Sequence, residues 1–215
     1  MEKCKKKNVI KIKIDFEDAK YNKKTAKKII RKLSNTRKYA DLLGKQLEVI
    51  ANKKMPDLHK ISDQYEFSIW VAIIVAQIEN REERMNYLYD EICYYLDNVC
   101  VINNLCNFEN DKCFAKRNTD ATMGCCHHYP NKKFGLLYQT KMVPCEYLGE
   151  NGCTTKSIGC KMFMCDEINK KGYKFTSYNV LLIRYFFNFI QKIIIRTSVF
   201  DTKKNTIKRL LRFEF

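Results

Sequence analysis

Residues 124–165, GCCHHYPNKKFGLLYQTKMVPCEYLGENGCTTKSIGCKMFMC, decide how the rest of the chain is read. Six of the 11 cysteines and two of the three histidines fall in this stretch. Gly124, Gly152 and Gly159 each stand directly before a cysteine, and Pro144 precedes Cys145. A metal-bound thiolate is stabilised by backbone N–H groups aimed at it, and tight turns supply them. Glycine permits the positive φ that such turns need. Asn151-Gly152 is a strong turn signal and delivers Cys153 to whatever Cys145 holds. The stretch reads as a metal or iron–sulfur knot set between two helical halves.

Working outward, 215 residues suffice for one sizeable core or two small ones. A hydrophobic content of 46% with 13% aromatics argues for a folded chain. The opening MEKCKKKNVIKIK carries charge but no apolar stretch of the kind a secretory signal requires. The longest apolar runs are Phe67–Ile78 and Val180–Ile195; the first is too short to span a bilayer and the second carries Arg184, Gln191 and Lys192. These features predict a cytoplasmic protein with no membrane span. In a reducing compartment, clustered cysteines serve as metal ligands or redox groups more often than as disulfides.

The net charge of +16 is unevenly spread. Residues 1–60 hold 19 basic against 7 acidic residues (+12), and residues 171–215 hold 10 against 2 (+8). Residues 61–170, with 11 against 15, are acidic at −4. Basic flanks of this kind suit an acidic protein partner or nucleic acid, and part of the charge is solvated surface. Nucleic acid is not the favoured partner. A nucleic-acid reading would use Lys5–Lys7, Lys23, Lys24, Lys27, Lys28, Arg31 and Lys32.

In chain order, NVIKIKIDF (residues 8–16) alternates with period two and predicts a strand with one buried face, though no pairing partner is evident. Helices are predicted over 22–33, over 36–53 with Met55-Pro56 as its end, over 62–78 with a capping box at Ser62, and over 82–100. Cys93 and Cys100, seven apart on one helix face, read as small core residues. Val180–Phe200 is apolar nearly all round and predicts a buried central helix, with a homodimer interface or a membrane-surface contact as the alternative. The tail TIKRLLRFEF predicts a short amphipathic helix. A carboxylate-bridged di-iron bundle is excluded, because no Glu-x-x-His occurs.

The expected fold class is therefore mainly α. A basic helical bundle (1–100) is followed by an irregular cysteine-rich segment (101–170). A C-terminal helical region (171–215) packs its apolar helix back on the bundle, and the three together form one compact domain.

From Cys106 onward the cysteine spacings are x6, x11, x0, x18, x7, x6 and x4, with no C-x-x-C. That absence excludes zinc ribbons, zinc fingers and thioredoxin-like sites. The closely spaced run of bacterial ferredoxins fails too. What remains is an adjacent pair, Cys125-Cys126, then CEYLGENGC, then GCKMFMC.

This pattern resembles the YkgJ-type cysteine-cluster family, also described as zinc- or iron-chelating domains. Cys145, Leu148, Gly152, Cys153, Cys160, Phe163 and Cys165 match the family pattern position by position, and Lys161 stands for its Arg. Ser157-Ile158 replaces the family's Arg-Pro, and the upstream Cys106 and Cys113 lie further from the pair than is usual. The resemblance covers about residues 106–166 and implies a bound metal or iron–sulfur cluster, with no agreed reaction.

Cys106, Cys113, Cys125, Cys126, Cys145, Cys153, Cys160 and Cys165 offer eight thiols. A tetrahedral zinc takes four, so eight suit two zinc or iron ions, or a [4Fe–4S] cluster with a spare site. His127 and His128 are candidates to complete a mixed set. The first functional expectation is a cytoplasmic metal- or iron–sulfur-binding protein with a redox or metal-handling role. The alternatives are a metalloenzyme with an open iron or iron–sulfur site, and a zinc-stabilised basic nucleic-acid binder. No G-x-G-x-x-G or G-x-x-x-x-G-K loop is present.

Overall fold

A computed structural model describes residues 8–16, 22–105, 147, 154–162, 168–199 and 201–213, together with the backbone of the short elements at 108–109, 112–113, 127–128, 143–144, 148–149, 152–153 and 166–167. The fold is mainly α, with eight α-helices among the described residues. It opens on a β–α–β unit. Strand β1 (Val9–Ile14) pairs in parallel with β2 (Gln46–Ala51), Val9 opposite Gln46 and Ile14 opposite Ala51. Ile12 and Ile14 point inward, as the alternation predicts. Helix α1 (Lys23–Leu42) is the crossover, capped by Asn22, whose side chain accepts the Thr25 N–H.

The partner strand corrects the expectation of a helix over 36–53. Helix α1 runs on through Leu42 and stops in a Schellman turn, Gly44 N–H to Asp41 O at 3.2 Å and Lys45 N–H to Ala40 O at 2.8 Å. Gly44 takes the left-handed conformation that this turn demands, at φ +60°. The chain then re-enters as β2, with Leu47 buried and Ile50 turned outward.

Helix α2 (Gln64–Gln77) is buried almost all round, from Phe67 to Ala76, and forms the centre of the core. Its cap is Asp63, one residue beyond the predicted Ser62, and it accepts from Tyr65 and Glu66 N–H. Helix α3 (Arg81–Ile102) starts at Asn80 and buries Met85, Leu88, Tyr89, Ile92, Cys93 and Leu96. Where α1 crosses the ends of α2 and α3, two buried arginines close the junction. Arg37 and Arg84 each reach Asp41 at 2.8 Å and also bind carbonyls at the end of α2, at Ala76 and Ile78.

The apolar run 180–200 corrects a second expectation. It forms two helices, α6 (Leu181–Phe186) and α7 (Phe189–Thr197), separated at Asn188 by a reciprocal capping box with Gln191 at 2.9 Å in both directions. (Helices α4 and α5 belong to the cysteine-rich segment below.) Leu181, Leu182 and Ile183 are buried in the core as expected. Helix α7 instead leaves Phe189 74% exposed, with Ile190 and Ile193 also at the surface. Helix α8 (Lys203–Leu211) closes the chain, as the tail predicted, with Ile207 and Leu210 buried.

Candidate metal centre

The cysteine-rich segment is attached to the helical body through α4 (Ile158–Met162), a five-residue helix inside the GCKMFMC motif. Ser157 stands before it and accepts the Cys160 N–H at 3.4 Å, while its own hydroxyl donates to Ser198 O at 2.9 Å. The Ile158 N–H donates to the Tyr89 hydroxyl on α3 at 3.1 Å. Tyr89 is fully buried, and burial is the main cause that pushes its hydroxyl up to about 12, so it stays protonated.

Gly159 lies flat against the end of α7. A Cβ there would sit 2.5 Å from the Ile195 carbonyl oxygen and 3.0 Å from Ser198 backbone atoms. Glycine is required here for close approach. Next in the chain, Cys160 is only 7% exposed. Lys161, its side chain 5% exposed, reaches Asp97 on α3 at 2.5 Å. Burial raises the Asp97 carboxyl against the pull of Lys161. Ser157, Ile158, Gly159 and Lys161 thus make specific contacts with α3 and the end of α7.

The other described parts of the segment are short two-residue ladders. Strands β3 (Phe108–Glu109) and β4 (Lys112–Cys113) pair with Phe108 opposite Cys113. Strands β5 (His127–His128) and β6 (Val143–Pro144) pair with His127 opposite Pro144. In sequence, Cys126 comes directly before the first of these and Cys145 directly after the second. Strands β7 (Leu148–Gly149) and β8 (Gly152–Cys153) form a hairpin with Leu148 opposite Cys153. The hairpin continues one step, since both the N–H and the hydroxyl of Thr154 donate to Tyr147 O, at 2.8 and 2.9 Å. The Asn151-Gly152 turn signal falls at this hairpin, displaced by one residue, with Gly152 opening β8 opposite Gly149. Helix α5 (Asp166–Lys170) follows directly after Cys165.

Of the eight predicted thiols, Cys160 is buried at the docking point, and Cys113 and Cys153 lie on hairpin strands. Cys106, Cys125, Cys126, Cys145 and Cys165 lie outside the described residues. The predicted histidines His127 and His128 form β5. Among the described residues, no group of three or more His, Cys, Asp or Glu is gathered for an ion. Cys93, read from the sequence as a core residue, is one: it is 5% exposed, and burial pushes its thiol up to about 12.

One polar cluster escaped the sequence reading. His59 Nε2 lies 3.4 Å from Glu91 Oε2, and its ring stacks on Tyr94 at 4.1 Å. Burial raises the Glu91 carboxyl, with His59 opposing the shift. Only the fold brings residue 59 to residue 91, so no local signal marks the pair. Among the described residues, no helix is long and apolar enough to cross a membrane. No family model, curated protein or solved structure matches the chain.

Proposed function

We propose that this chain is a cytoplasmic metal- or iron–sulfur-cluster-binding protein. Its ligands come from Cys106, Cys113, Cys125, Cys126, Cys145, Cys153, Cys160 and Cys165. The observation that carries the reading is the docking of α4: Gly159 is packed against the end of α7, the Ile158 N–H bonds to Tyr89 on α3 and Lys161 is ion-paired with Asp97 on α3, with the buried Cys160 between them in sequence. A segment that merely linked two helical halves would not need a glycine pressed to a carbonyl beside a cysteine. A ligand set needs one fixed member against which the others close.

The ladders supply the rest of the support. His127 and Pro144 are paired, so chain connectivity keeps the Cα atoms of Cys126 and Cys145 within about 13 Å of each other. Cys113 and Cys153 each sit on the second strand of a hairpin. A metal would supply the charge that holds several thiolates together, and its own acidity would keep them deprotonated. Metal handling or electron transfer are the roles this arrangement serves.

The test is metal and sulfide analysis of anaerobically purified full-length protein, with electron paramagnetic resonance. Iron–sulfur ligation predicts a brown protein with broad visible absorption that bleaches on reduction, and zinc predicts a colourless one with stoichiometric metal. Cys160→Ser and Cys145→Ser should each lower metal content. A protein that binds neither metal nor cluster, with its thiols freely titratable, would overturn the proposal.

A further inference from the structure

The outer face of α1 is strongly basic. Lys24, Lys27, Lys28, Arg31, Lys32 and Lys38 lie on it, and between Lys23 and Ala40 the helix contains no acidic residue. At 1.5 Å per residue, Lys24 to Lys38 extend this charge over about 21 Å of the helix. The surface continues onto α6 and α7. Arg184 lies over the ring of Tyr185, and Tyr185 lines a shallow groove with Lys27, Lys28, Arg31 and Lys32. Lys192 donates to Arg184 O at 2.8 Å. Partial burial lowers the Lys192 pKa, and the positive charges of Lys38 and Arg184 add to the shift. Among the described residues none of these eight cations has a carboxylate partner.

Beside this basic surface, α7 turns apolar side chains outward. Phe189 is 74% exposed and Ile193 45%, with Ile190 next to them and Lys192 and Arg196 interleaved. In solution this costs contact between water and apolar surface, next to positive charges that repel one another. One partner relieves both at once. We infer that the α1–α7 surface docks this protein on an anionic lipid bilayer, lipid headgroups meeting the cations of α1 and α6 while Phe189, Ile190 and Ile193 enter the interface.

A nucleic acid would neutralise the lysines equally well but would leave two exposed isoleucines uncovered, since isoleucine neither stacks on bases nor bonds to phosphate. A second copy of the chain would cover the isoleucines but would bring like charges together. The inference is independent of the metal reading, because none of its residues belongs to the cysteine-rich segment.

The experiment is co-sedimentation of the full-length protein, as purified, with vesicles of phosphatidylcholine alone and of phosphatidylcholine with about one-third phosphatidylserine or phosphatidylglycerol. Binding is expected only to the anionic vesicles, and is expected to weaken steeply as salt rises. Each cation near such a surface contributes about a fivefold gain, so Lys28→Gln with Arg31→Gln should weaken binding about 25-fold. Phe189→Ser with Ile193→Ser should weaken it at least about tenfold while lowering the melting temperature by only a few degrees, because Phe189 is 74% and Ile193 45% exposed.

Absence of binding to anionic vesicles at low salt overturns the inference. So does binding that ignores Phe189→Ser and Ile193→Ser, which would mark a general polyanion site of the kind RNA uses. A concentration-dependent dimer abolished by those two substitutions, with no vesicle binding, would assign α7 to a homodimer instead.

Discussion

Replacing Gly159 by alanine is the most direct probe of how the cysteine-rich segment is held. The added methyl would stand 2.5 Å from the Ile195 carbonyl oxygen and 3.0 Å from two backbone atoms of Ser198. Carbon–oxygen contacts relax only beyond about 3.4 Å, so something must move by about an ångström. The obstacles are main-chain atoms at the end of α7, held by Ser198 N–H to Ile194 O at 3.0 Å and by Ser157 Oγ to Ser198 O at 2.9 Å. They cannot swing aside as a side-chain tip would.

Overpacking of this kind costs about 1–3 kcal/mol, against which alanine recovers at most about 1 kcal/mol of helix propensity. Taking the upper half of that range, a net cost of about 1–2 kcal/mol, Gly159→Ala should lower the melting temperature by about 2–8 °C for a chain of this size. The comparison is Gly172→Ala. There φ is +82° and no atom lies within 4 Å of the new methyl, so the cost is local backbone strain with no clash.

The two variants should diverge in metal content. Displacing α4 moves Cys160 first, so Gly159→Ala should lose bound metal in proportion to its loss of stability, while Gly172→Ala keeps full occupancy. Thermal melting followed by circular dichroism, run beside metal analysis, reads both. A Gly159→Ala protein with unaltered melting and full metal would refute the docking argument.

Three further outcomes test other parts of the molecule. Asp41→Asn removes the carboxylate shared by Arg37 and Arg84, both at least nine-tenths buried, and should cost about 3–5 kcal/mol in denaturant unfolding at neutral pH. Glu91 has its folded-state pKa raised by burial above the ordinary 4.5, so the native state holds that proton more tightly than the unfolded chain does. The resulting stability is fully present below about pH 4.5 and is lost as pH rises through the folded pKa. Glu91→Gln should therefore match the parent protein in acid and exceed it at pH 7, and a stability difference that does not change with pH would count against the assignment. Cys153→Ser should reduce metal content, measured after anaerobic purification, while leaving the far-ultraviolet helical signal within a few per cent of the parent.

The sequence disclosed some of this architecture and concealed the rest for identifiable reasons. The NVIKIKIDF alternation favours the strand that β1 proves to be over a basic helix start, but its partner is separated from it by the whole of α1. QLEVIA carries apolar residues at positions 47, 49 and 50, a spacing that fits a helix stripe as readily as a strand. The overlooked signal was Gly44, which ends α1 in the left-handed conformation and so separates the two readings. In the run 180–200, Asn188 and Gln191 spell a capping box that the surrounding hydrophobicity obscured.

The hairpin leading to Cys153 was legible, because Asn-Gly turn chemistry is local. The docking of α4 was not. Gly159 looks like a turn glycine until the end of α7 is placed against it, and Lys161 has no visible partner until Asp97 on α3 is brought alongside. Helix periodicity predicts faces; it does not say which faces meet.

The distribution of buried side chains sets the energetic relation between the body and the cysteines. The described hydrophobic core draws mainly on residues from Ile12 to Leu96 and from Val180 to Leu210, and between them it buries Ile158, with Met162 and Phe175 packed against it. In small zinc modules the ion replaces a core that the chain is too short to build, and removing it unfolds the domain. Here α1, α2, α3 and α6 already bury a core of their own, so the binding free energy of a metal is not needed to fold them. Among the described residues, α4 ties the cysteine-rich segment to the body by way of Tyr89, Asp97 and Ser198, and Lys171 and Tyr173 bond to the residues that follow α3. Under the proposed function, loss of a bound metal should be felt at α4. That is why ligand substitution is expected to separate metal content from helical content, and why a glycine with no chemistry of its own ranks beside the cysteines as a test.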